Sequence, residues 1–108
     1  MDKGIVLYEI ELNGCLNGVY TNDGCDGLIY NEIATKHSPF ENDDIAGTYD
    51  CSYFEDNNMR KDVELSITRK KKKARIFDFK WSMKGRVLFE GIGFKMNNRQ
   101  VAVTYWEI

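Results

Sequence analysis

Titratable and nucleophilic residues are scattered through this 108-residue chain, and one carboxylate stands apart from the rest. Glu90 sits in RVLFEGIGFKM, among residues whose alternation places it with Phe79 and Tyr105 on an otherwise apolar face. A carboxylate removed from water needs hydrogen-bond donors, or its pKa rises. Such a group is either an anchor for a bound ligand or a structural acid satisfied by Tyr105, Tyr49 or a backbone N–H. Acid/base catalysis normally needs a second group, and none stands beside it in sequence. The expectation is therefore a binding protein ahead of an enzyme built on Glu90, with no catalytic residue assigned.

The other reactive residues form no constellation. His37 is next to Ser38, but neighbours in sequence are not thereby a base and its nucleophile. Cys25 lies in Gly24-Cys25-Asp26-Gly27, which lacks the lysine of a phosphate loop, so no nucleotide cofactor is expected. Three cysteines, Cys15, Cys25 and Cys51, with a single histidine and no CxxC pair, do not make a zinc site, and no metal is expected. They read as reduced thiols of a cytoplasmic protein, with a Cys15–Cys25 bridge in an exported chain as the alternative.

Charge is polarised along the chain. Residues 1–58 hold 2 basic against 12 acidic side chains, and residues 59–108 hold 13 basic against 5 acidic. Pairing between the halves explains this most simply. The run Arg69 to Arg75 has no aromatic residue interleaved, so it reads as a solvated hairpin tip and not as a nucleic-acid site. No apolar run approaches the roughly 18 residues that span a membrane, and the opening MDKGIVLYEIELNG is not a secretory signal.

The elements that position Glu90 are three strands over Phe77 to Ile108, joined at Lys84-Gly85 and Asn97-Asn98. Both dipeptides suit two-residue hairpin turns. That register pairs Trp81 with Leu88, Phe79 with Glu90 and Glu90 with Tyr105. It gathers Phe77, Phe79, Trp81, Leu88, Ile92, Phe94, Val101, Val103 and Tyr105 on one face, and a slip of one residue would exchange the faces. The opposite face carries Phe89 and Trp106 around Gly91, Gly93, Ala102 and Thr104, which suits either sheet curvature or a partner surface.

Upstream, Gly4 to Leu12 alternates as a half-buried strand and Leu16 to Asn22 follows as a second. Leu28 to His37 fits a strand in a meander, or one short helix between Asp26 and Pro39. Ser38 to Asp44 is a polar loop, Ile45 to Glu55 a strand with Tyr49, Cys51 and Tyr53 on one face, and Asp62 to Thr68 the cleanest alternation, with Val63, Leu65 and Ile67 inward. The sum is a single all-β domain over residues 1–108. It is an eight-stranded antiparallel up-and-down meander that closes into a small barrel if the first and last strands pair.

LNGVYTNDG (Leu16 to Gly24), DDIAGTYDCSY (Asp43 to Tyr53) and the terminal AVTYW resemble the calycin type of barrel and are most similar to avidin-like chains. The resemblance implies a ligand inside the barrel and assigns binding roles to Asn22 and Tyr49. The chain departs from that pattern with Tyr20 where a tryptophan is usual, no serine after Gly24 and no set of tryptophans around a ligand, so what carries over is fold and not biotin binding.

Two functional expectations follow. The first is a small apolar or mixed ligand inside or at the mouth of the barrel, held near Glu90, Tyr105, Tyr49, Phe79 and Asn22. The second is a protein-protein interaction module, such as an inhibitor, an immunity factor or a homodimer subunit, with a packed barrel and a contact surface at Phe89 and Trp106.

Overall fold

The computed structural model describes residues 2–37, 45–55, 58–71 and 75–108. Its strands are β1 (Lys3–Ile10), β2 (Leu16–Asn22), β3 (Tyr30–Lys36), β4 (Gly47–Glu55), β5 (Asn58–Arg69), β6 (Ile76–Met83), β7 (Arg86–Lys95) and β8 (Gln100–Glu107). Each pairs antiparallel with the next, and β8 returns to β1 from Lys3↔Trp106 to Glu9↔Gln100. The result is a closed eight-stranded up-and-down barrel, a calycin-like fold in general terms. The stretch that could have been a short helix is β3. The single helical piece among the described residues is a 3-10 turn over Asp23–Cys25. The expected Ser38 to Asp44 loop lies outside the described residues, as does the centre of the lysine run, which joins β5 to β6.

Alternation decides the interior. β5 turns Val63, Leu65 and Ile67 inward, β6 turns Phe77, Phe79 and Trp81 inward, and β8 turns Val101, Val103 and Tyr105 inward. With Tyr8, Leu16 and Tyr49 these fill most of the lumen, as expected of a barrel this narrow. Glycines make the filling possible. A Cβ on Gly18 would lie 2.7 Å from the Tyr8 ring, and one on Gly93 would lie 3.0 Å from Phe79 and 2.5 Å from the Ala102 carbonyl oxygen.

The expected register of β7 is corrected by one residue. Lys84 and Gly85 do form the turn, at φ 51° and 80°, and Met83 faces Arg86. A bulge then sets Ser82 opposite Val87 but Trp81 opposite Phe89, leaving Leu88 as the extra residue. At the other end the turn takes three residues and not two. Asn97 Oδ1 accepts from the N–H groups of Arg99 (2.8 Å) and Gln100 (2.9 Å), and Met96 N–H donates to Gln100 O. Both shifts have the same sense, so Phe89, Gly91 and Gly93 face inward and Glu90, Ile92 and Phe94 face outward. Packing explains the choice: a Cβ on Gly91 would already lie 3.3 Å from Trp81, so the lumen above Phe79 and Trp81 has no space for Glu90 or Ile92.

Candidate functional site

The buried acid of this barrel is Glu32, not Glu90. On β3 the usual polarity is inverted: Glu32, Ala34 and Lys36 point inward while Ile33 is 55% exposed. Glu32 lies inside the lumen, where its Oε2 accepts from the Tyr8 hydroxyl and from Trp81 Nε1 (3.3 Å). The Cys51 thiol also bonds to it. Burial pushes the Glu32 carboxyl above its ordinary value near 4.5, and these three donors pull it partly back. Lys36, the second buried charge, lies at the opposite end with its Nζ 5.9 Å from the centre of the Tyr49 ring.

Above Glu32 the lumen opens. A cavity of about 120 Å³ occupies the end of the barrel that holds both chain termini. Glu32 and Trp81 form its floor, Tyr20, Tyr53, Phe89 and Tyr105 its walls, and Asp2 and Glu107 its rim. The rings meet at angles. Tyr20 and Tyr53 are perpendicular at 5.9 Å, Phe89 and Tyr105 perpendicular at 5.8 Å, and Trp81 tilts against Tyr105 at 5.6 Å. Phe79 lies beneath, stacked on Trp81 at 5.9 Å and on Tyr8 at 6.5 Å, so an aromatic column runs from the packed core to the mouth.

The polar groups of the wall are largely spent on the protein. Tyr20 donates to the Phe54 carbonyl, and Tyr105 donates to the Thr21 carbonyl (3.2 Å) while accepting from Asn22 Nδ2 (3.0 Å). Asn22 Oδ1 caps the 3-10 turn by accepting from Gly24 N–H (2.9 Å) and from Cys25 Sγ (3.3 Å). Burial holds the Tyr8, Tyr20 and Tyr105 phenols well above their ordinary range, so all three remain protonated at neutral pH. The Cys51 thiol is raised strongly by burial and by Glu32 beside it, which makes it a poor nucleophile. Glu32 is thus a buried carboxyl met by three donors at the foot of an aromatic-lined cavity.

The predicted ligand residues are thus divided. Tyr105 and Asn22 stand in the cavity wall, and Phe79 supports its floor from below. Tyr49 lies outside the lining, its hydroxyl bonded to the Ile45 carbonyl at 2.7 Å, so the Asn22–Tyr49 pair implied by the avidin-like resemblance is not brought together. Glu90 is outside the barrel, opposite Lys80 and Trp106. Phe89 and Trp106 are not one surface: Phe89 faces the cavity and Trp106 faces outward. The sequence reading missed Glu32, whose only signal was an inverted alternation against β2, with Glu32 opposite Gly18 and Ala34 opposite Leu16.

The exterior is divided as well. Across β7, β8, β1 and β2 the outward side chains of Phe94, Ile92, Ala102, Ile5, Leu7 and Val19 line a shallow apolar depression of about 670 Å³. The outward residues of β5 from Asp62 onward, by contrast, include Asp62, Glu64, Ser66 and Thr68. All three cysteines are free. Among the described residues no helix is long and apolar enough to cross a membrane. Comparison of the chain with family models, with curated proteins and with solved structures finds no match in any of the three.

Proposed function

We propose that this chain is a small binding protein, acting in the cytoplasm, that holds a small ligand in the mouth of its barrel. One observation carries the reading. The lumen is filled by side chains over most of its length, yet opens at one end into a cavity that reaches down to a buried, hydrogen-bonded carboxyl group. A protein with no use for that space would lose stability by keeping it, because empty volume forfeits contacts. About 120 Å³ falls below the roughly 300–1,000 Å³ of a drug-sized site, so the ligand is a small molecule or the head group of a larger one.

Native mass spectrometry of the purified chain, beside the same chain denatured, tests this. The expected result is added mass on the folded monomer that disappears on unfolding. Were the folded chain free of adduct, and were a fragment library to leave the NMR resonances of Tyr20, Trp81 and Tyr105 unmoved, the reading would fail.

A second reading is favoured by the outer apolar face: a homodimer in which β7, β8, β1 and β2 of two copies pack face to face. Ile5 is 61% and Phe94 51% exposed there, and among the described residues no charged side chain lines the depression. A two-fold contact needs only one self-complementary patch, and homodimer interfaces are more apolar than ordinary surface. Sedimentation of Leu7→Lys against the unchanged chain tests it, since a dimer predicts loss of the heavier species and a monomer predicts no change.

A further inference from the structure

Resting on the reading of the barrel mouth as a ligand site, we propose that its occupant is a small organic cation, an alkylated ammonium group, seated between the aromatic walls over Glu32. Three observations converge. The first is charge: Glu32 lies at the floor and Asp2 and Glu107 at the rim, while no lysine, arginine or histidine lines the cavity among the described residues. An anion entering this space would meet three carboxyl groups and no counter-charge.

The second is the disposition of the rings. Tyr20 against Tyr53 and Phe89 against Tyr105 make two perpendicular corners, with Trp81 beneath. Several aromatic rings converging on one small space, each with a negative face, is the arrangement that attracts quaternary ammonium groups. The third is the state of the hydrogen-bonding groups. The Tyr20 and Tyr105 hydroxyls and both polar atoms of Asn22 are committed within the protein. A neutral ligand rich in acceptors would find few donors, and a ligand rich in donors would find acceptors chiefly in the three carboxyl groups. An alkylated ammonium asks for neither, because its methyl groups fill the apolar walls while its charge is met by ring faces and carboxylates.

Isothermal titration of the full chain tests the inference, with two probes of one shape: choline, and its neutral isostere in which carbon replaces the quaternary nitrogen. The expected result is that choline binds and the isostere binds at least about tenfold more weakly. Glu32→Gln and Phe89→Leu should each weaken choline by about fivefold to tenfold. Phe89, half-buried near the rim, serves as the check should the Glu32 variant fold poorly. Equal binding of the two probes, or binding of neutral fragments without choline, would overturn the cation assignment and leave the ligand site standing. Binding of no probe at all, with no movement of cavity resonances, would overturn the site reading as well.

Discussion

Replacing Tyr8 by Phe isolates the bond between Tyr8 and Glu32. Tyr8 is fully buried and its ring stacks on Phe79 with an interplanar angle of 11°, so Phe keeps the packing and removes one hydroxyl. That hydroxyl donates to Glu32 Oε2. A net hydrogen bond between neutral groups is worth about 1 kcal/mol, and one to a charged group about 1.5–3 kcal/mol. The cost of Tyr8→Phe should therefore depend on the protonation of Glu32. Burial raises the folded Glu32 carboxyl above its ordinary value near 4.5. A raised acid contributes stability in full below the unfolded value and loses it as pH climbs through the folded value. Because the Tyr8 bond favours the ionised form, its removal raises the folded value further and enlarges that loss. Urea unfolding from about pH 4 to about pH 9 should show Tyr8→Phe costing about 1 kcal/mol at the acid end and about 1.5–3 kcal/mol at the alkaline end, with the slope against urea unchanged. Tyr8 stays protonated throughout, since its own pKa lies well above the phenol range. A cost that stayed constant across the series would refute the reasoning, because Glu32 would then not titrate against that hydroxyl.

Four further outcomes follow from the same geometry. Gly93→Ala places a Cβ 2.5 Å from the Ala102 carbonyl oxygen and 2.8 Å from Val103, and should cost about 1–3 kcal/mol in chemical denaturation. Gly85→Ala meets nothing within 4 Å and should cost only the strain of its φ of 80°, about 1 kcal/mol. Glu90→Gln, which faces outward, should change stability by no more than about 0.5 kcal/mol and leave ligand binding untouched; a large loss in either would restore Glu90 to the interior. In thiol labelling at neutral pH, Cys51 should react only on unfolding, since it is buried and its thiol is strongly raised, while half-buried Cys15 reacts in the folded protein.

The barrel was legible because strands such as β5 from Asp62 onward and β6 alternate with a clear period of two, and turns carry Gly or Asp at left-handed positions such as Gly14, Asp26, Gly27 and Gly85. The register of β7 was not. Turn residues name a turn without fixing its length, and a bulge at Trp81 leaves no mark in composition. One residue was enough to exchange every side chain of that strand between faces, because the period is two. Gly91 and Gly93 held the missing information. Glycines two apart, facing a strand that carries Phe79 and Trp81, are what a strand needs where it passes over large rings.

The same argument explains why the site acid was sought on the wrong strand. A buried carboxylate is costly unless donors meet it, so from sequence the natural candidate was the one acid that the assumed turns set among aromatics. Glu32 has neighbours that look like surface in the sequence: Asn31 before it, and an Ile33 that suggests the strand's apolar face. Its donors arrive only with the fold. Tyr8 comes from β1, Trp81 from β6 and Cys51 from β4, at sequence separations of 24, 49 and 19 residues. Two of those donors come from strands that do not adjoin β3. Their side chains meet Glu32 across the lumen, so only closure of the barrel makes an interior acid at this position tolerable. Closure and the candidate site are therefore one consequence of the same topology.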